Sequence, residues 1–164
     1  MTATEKPPDT SRKKPVTARD PRLRGWRDLI TAHDLLVRRL DEELRDEAGM
    51  SSAEYSALLQ LAESPGRRKR MNELADGIIL TRGGVTRLID RLEADGLVER
   101  DQCVSDGRGT EAVLTQGGLD RLRAASKVHL RGVSAYYFER LSDEEQETIG
   151  RVMRDIAEGI RSGG

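Results

Sequence analysis

Apolar residues recur at every third or fourth position through most of the chain from Trp26 to Ile160, and between residues 97 and 114 that rhythm changes. A three-to-four repeat puts apolar side chains on one face of a helix, whereas strict alternation puts them on one face of a strand. The exceptional segment reads "LVERDQC", then "VSDGRG", then "TEAVL": two alternating or β-prone runs around Asp106-Gly107. That dipeptide is a strong signal for a tight hairpin turn. The pattern predicts a mainly α protein of about six helices with one two-stranded β-hairpin set among them.

Start and stop signals divide the helical part. Residues 1–21 are polar, rich in Pro and Thr, and carry Lys6, Arg12, Lys13, Lys14 and Arg19, so they read as a flexible basic arm. A first helix, about 22–47, puts Trp26, Leu29, Ile30, His33, Val37, Leu40 and Leu44 on one face, and Gly49 suits its C-terminal turn. In "SSAE", Ser51 and Glu54 form a capping box for a second helix, which Pro65 stops. "RRKR", Arg67 to Arg70, reads as a loop of four cations.

A short third helix carries Met71, Leu74, Ala75 and Ile78; a break at Ile79–Leu80 then leads to Thr81, the cap of a fourth helix. Val85, Leu88, Ile89 and Leu92 form the inner stripe of that helix, and Gly96 ends it. Thr115 caps a long fifth helix, about 116–140, and Ser142 with Glu145 opens a sixth, about 142–162, lined by Ile149, Val152, Met153, Ile156 and Ile160. Two short helices around a tight turn, about 71–96, followed at once by a hairpin wing, about 97–114, make a winged helix-turn-helix. Residues 22–164 are expected to form one such domain. Its first, fifth and sixth helices are too long and too apolar for the small central unit to cover, which predicts a homodimer joined through them.

Composition narrows the function. With 28 basic against 29 acidic residues, the chain is no cationic nucleic-acid coat, so such a partner must be met by a local patch. One cysteine, Cys103, allows no internal disulfide, and two distant histidines with it make no metal cluster. The N-terminus has no apolar core of a secretory signal, and no stretch approaches the roughly 18 apolar residues of a spanning helix, so a cytoplasmic protein away from membranes is expected. "TRGG" lacks the Gly-Lys-Ser/Thr ending of a phosphate loop, and no serine or cysteine has a recognisable catalytic context. No enzyme activity and no cofactor are expected.

The local patch lies on the fourth helix. Its apolar stripe faces the body, while Arg82, Thr86 and Arg87 point the other way. Gly83 and Gly84 each cost a helix about 1 kcal/mol relative to alanine, yet remove bulk where a helix would approach base edges. An arginine there can bond a guanine edge in the major groove through two donors. Thr81, Arg82, Gly83, Gly84, Thr86 and Arg87 are therefore the candidate base-reading and docking residues. Arg70 before the motif, Arg100 on the first wing strand and Arg108 at the hairpin tip flank it, as suits a protein neutralising phosphates beside a groove.

From about Trp26 to Ile160 the chain resembles the MarR family of winged-helix regulators, through "MNELADGIILTRGGVTRLIDRLEADGLVER" and "SDGRGTEAVLTQGG". The resemblance implies an obligate homodimer on a pseudo-palindromic operator in double-stranded DNA, with Arg108 of each wing reaching a minor groove. Ser105 and Gly107 belong to the same wing tip, and Asp106 would orient the wing by pairing with an arginine. The family also implies a repressor relieved by a small phenolic or anionic effector; Trp26, His33 and Tyr55 are the candidate lining residues. Two alternatives stand beside this: a winged helix that binds only protein, and a redox-responsive regulator acting through Cys103.

Overall fold

The computed structural model describes residues 15–76, 78, 82–102 and 109–163, with backbone alone at Asp76 and Arg82. Among the described residues, six α-helices and three short strands follow in the order α1 (Leu23–Ala48), α2 (Ser52–Glu63), β1 (Arg68–Arg70), α3 (Met71–Asp76), α4 (Arg82–Ala94), β2 (Val98–Gln102), β3 (Thr110–Leu114), α5 (Gln116–Tyr136) and α6 (Asp143–Ser162). Two compact units are distinguished, with the boundary inside α1 between Asp34 and Leu35.

In the first unit, Asp20 accepts the Arg22 backbone N–H at 2.9 Å and its guanidinium at 2.5 Å. The hydrogen bonds from Arg22 hold the Asp20 carboxyl well below its ordinary value, at about 2. Trp26, Leu29 and Ile30 follow on α1, all of them exposed.

The second unit holds the core. Leu44 of α1, Leu58 and Leu61 of α2, Leu74 of α3, the α4 stripe, Val98 and Leu114 of the strands, and Leu119 and Leu122 of α5 form one buried cluster. The local signals that start α2, α5 and α6 are the ones written in the sequence. Ser51 Oγ accepts the Glu54 N–H at 3.3 Å while the Glu54 carboxylate accepts the Ser51 N–H at 2.8 Å. Ser142 and Glu145 repeat that exchange at the head of α6, and Thr115 Oγ1 accepts the Gly118 N–H at 2.9 Å at the head of α5. A cap of this kind stabilises a helix by about 1 kcal/mol.

Two glycines set how the wing leaves the body. Gly96, at φ 69°, closes α4: its N–H reaches Glu93 O, and the next N–H, from Leu97, reaches Leu92 O. This left-handed turn reverses the chain directly into β2. Gly118 begins α5 so close to the wing base that a Cβ there would lie 2.1 Å from Leu97 O and 2.7 Å from Leu114 Cδ1. Any side chain would push α5 off the strands.

The sheet differs from the expected two-stranded hairpin. Three antiparallel strands run in the order β1-β3-β2, with Arg68 opposite Val113 and Val98 opposite Leu114. The loop expected at "RRKR" is a 3-10 turn, Pro65–Arg67, followed by strand β1. Tertiary context explains this strand. β1 pairs with the edge of β3 that β2 leaves open, and Arg68 Nη1 lies 3.3 Å from Glu111 on β3 and 3.5 Å from Asp101 on β2. The fifth helix also stops at Tyr136 rather than near residue 140, giving way to a 3-10 turn at Phe138–Arg140.

Candidate nucleic-acid interface

Helix α4 presents two unlike sides. Val85, Leu88, Ile89 and Leu92 are at most 1% exposed, so the inward stripe is completely covered by the lobe. Gly83, Thr86, Arg87 and Asp90 face outward and are exposed, and Gly84 is half-buried. A Cβ added at Gly83 would meet nothing within 4 Å, so the helix leaves open room beside its backbone at that position. Arg87 is exposed and holds no ion pair among the described residues, which leaves its five N–H donors to an external acceptor. Farther along, Arg91 Nε lies 3.6 Å from Glu54 of α2 and ties the helix to its neighbour.

The flanking cations occupy different surroundings. Arg100 is half-buried on β2, its Nη2 2.6 Å from Asp90 Oδ1 and its Nη1 donating to Glu93 Oε2; both carboxylates belong to α4. Arg70 is half-buried on β1, opposite Glu111 in the sheet register. Lys69 Nζ donates to Gln60 Oε1 at 2.9 Å, and Arg68 is held by Glu111 and Asp101, so only Arg67 of "RRKR" is exposed. Thr81, Cys103, Ser105, Asp106, Gly107 and Arg108 lie outside the described residues, as does the side chain of Arg82.

Comparison with known proteins decides the family. A model of the MarR family matches residues 48–109. Sco3205, a MarR family transcriptional regulator from Streptomyces coelicolor solved in complex with DNA, is 40% identical, superposes with a TM-score of 0.81, and shares 90% of this chain and 92% of its own. AbsC, another MarR family regulator of that organism, is 30% identical at the same TM-score, over 90% of this chain and 99% of its own. The HTH-type transcriptional repressor YetL of Bacillus subtilis is 31% identical over 112 residues, 68% of this chain and 66% of its own length.

The chain belongs to the MarR family of transcriptional regulators. For a MarR-family chain, the residues suggested as effector contacts are unevenly placed. Trp26 is 58% exposed, and His33 is exposed with Nδ1 3.1 Å from its neighbour Asp34. Tyr55 is buried in the second unit, its ring centroid 4.6 Å from that of His129 and its hydroxyl 3.3 Å from Ser126 Oγ. Burial pushes the His129 imidazole below its ordinary value. This group of three joins α2 to α5.

Sequence reasoning missed Asp90 and Glu93 as ion-pair partners of Arg100 on β2. Their spacing of three on α4 puts both on one side of the helix, which was a usable signal, but their partner becomes visible only when β2 is seen alongside α4. None of the described helices is long and apolar enough to cross a membrane.

Proposed function

We propose that the protein is a homodimeric, sequence-specific regulator that binds a pseudo-palindromic operator in double-stranded DNA, most simply as a repressor. The observation that carries this is the division of α4. One side is locked into the lobe, and the other offers an open glycine, a threonine and an unpaired arginine to a groove. Residues Thr81 to Arg87 would enter the major groove. The wing tip, with Ser105, Gly107 and Arg108, would reach the adjacent minor groove, Asp106 orienting it. The DNA complex of Sco3205 and the repressor role of YetL support the same reading.

The homodimer is supported by apolar surface that the chain leaves uncovered. Ile156 and Ile160 of α6 are 49% and 72% exposed, with Met153 beside them, and Leu130 of α5 and Val37 of α1 are exposed as well. A second copy that covers these faces would also set the spacing of two recognition helices, which matches a two-fold operator. Relief by a small phenolic or anionic molecule would be a population shift: the ligand favours a dimer whose recognition helices no longer fit both half-sites. The Tyr55–His129 contact lies where the lobe meets α5 and would feel such a shift.

Titrating the protein against its own upstream region across a salt series tests the reading. Specific binding whose log affinity falls linearly with log salt is expected. A module that binds only protein would give no operator complex at any salt concentration.

A further inference from the structure

Resting on the DNA-binding reading above, we propose that Arg100 is a positioning residue that clamps the wing to the recognition helix, rather than a phosphate ligand. Val98 and Arg100 stand two apart on β2 and therefore share the strand face that looks at α4. Val98 is fully buried there and anchors the base of the wing. One step outward, the Arg100 guanidinium spans two carboxylates with its two terminal nitrogens, Nη2 at 2.6 Å from Asp90 Oδ1 and Nη1 on Glu93 Oε2. Only 26% of its side chain is exposed.

Charge and shape both favour the clamp. Two carboxylates against one guanidinium leave the cluster net negative, so a phosphate would have to displace bound carboxylates and approach a like charge. The planar fork of arginine can hold both acids at once, whereas a lysine ammonium is a point charge on a flexible stem. Only Asp95, Gly96 and Leu97 separate α4 from β2, and the Gly96 turn already fixes the direction of the chain. The Arg100 bridge adds a second point of attachment, away from the turn. With both in place, β2 and α4 are held at one angle, and that angle selects the operator.

The test uses the full-length dimer with an operator duplex and a random duplex of equal length, each titrated over a salt series well below the melting temperature. For R100A, operator affinity is expected to fall by about tenfold or more, the size of losing charge-assisted hydrogen bonds, while random-duplex binding and the salt slope stay close to wild type. R100K should lose operator preference as R100A does, since it keeps the charge but not the fork. D90A/E93A leaves Arg100 in place and removes both acceptors that it holds; its operator-to-random ratio should drop as well, even if R100A proves too unstable to measure.

A salt slope lower by about one per protomer in R100A, restored by R100K, would make Arg100 a phosphate ligand and overturn the clamp. So would D90A/E93A binding the operator with undiminished preference. If the wild-type protein itself shows no operator complex at low salt, the DNA-binding reading falls, and the clamp with it.

Discussion

Helix α4 hides its apolar stripe to within 1% of exposure, whereas α6, patterned with the same three-and-four spacing, buries no residue at all. The residue types barely differ: Val, Leu and Ile in one, Ile, Val and Met in the other. Position in the chain makes the difference. Helix α4 is wedged among α2, α3 and β2, all supplied by the same lobe, so its outer side is released for contacts that the fold does not need. Helix α6 comes last, after the lobe is complete, and Met153, Ile156 and Ile160 of its stripe stay exposed. On the reading proposed above, α4 serves DNA contact and α6 serves pairing.

The contrast breaks most sharply at Leu88. It is 1% exposed, so Leu88→Ala should cost about 2–5 kcal/mol of stability through lost transfer energy and the cavity left behind. Urea unfolding at fixed protein concentration would report it, and sedimentation of the folded fraction should still give a dimer. A loss below 1 kcal/mol would mean that α4 is held more loosely than its burial implies.

The matching change on α6 should do the reverse. Met153→Asp with Ile156→Asp puts two charges on the uncovered stripe and should leave the lobe folded by circular dichroism. Sedimentation should show monomers. Operator affinity should fall about a hundredfold or more, because two half-sites are no longer engaged jointly. A variant that stays dimeric with full affinity would separate the exposed face of α6 from pairing and remove one half of the comparison.

How much of this contrast was legible in the sequence depends on the range of the signal. The helices and their caps were readable because Ser51 with Glu54, Thr115, and Ser142 with Glu145 act within one turn of themselves. The inner stripe of α4 was readable from its period alone. Strand β1 was not, since "RRKR" has no apolar alternation and becomes a strand only because β3, some forty residues later, offers an edge. The surroundings of Arg100 were not legible for the same reason. Its two carboxylate partners, Asp90 and Glu93, come from another element and meet it only when β2 lies beside α4. Arg87 kept its expected surroundings, because no element of the lobe packs over the outer side of α4 there.

Arg87 therefore offers a finer probe of the reading side. Arg87→Ala removes an exposed, unpaired cation, so stability should stay within about 0.5 kcal/mol. Operator binding should weaken and discrimination at one base position should relax by about 1–3 kcal/mol, measured by competition with single-base operator variants. Equal losses on operator and random DNA would assign Arg87 to the phosphate backbone instead.

The smallest expected effect is the most particular to α4. Gly83 has an ordinary helical backbone and nothing within 4 Å of a built Cβ, so Gly83→Ala is free of clashes in the isolated protein. The helix should gain up to about 1 kcal/mol, since alanine has less backbone freedom to lose on folding. A thermal melt would show that gain. If the vacant room at Gly83 is where α4 comes against a duplex, the same methyl group should lower operator affinity while raising stability, and the two effects should carry opposite signs in one variant. If stability and affinity rise together, that room is not part of the docking surface, and the glycine pair would need another explanation than close approach.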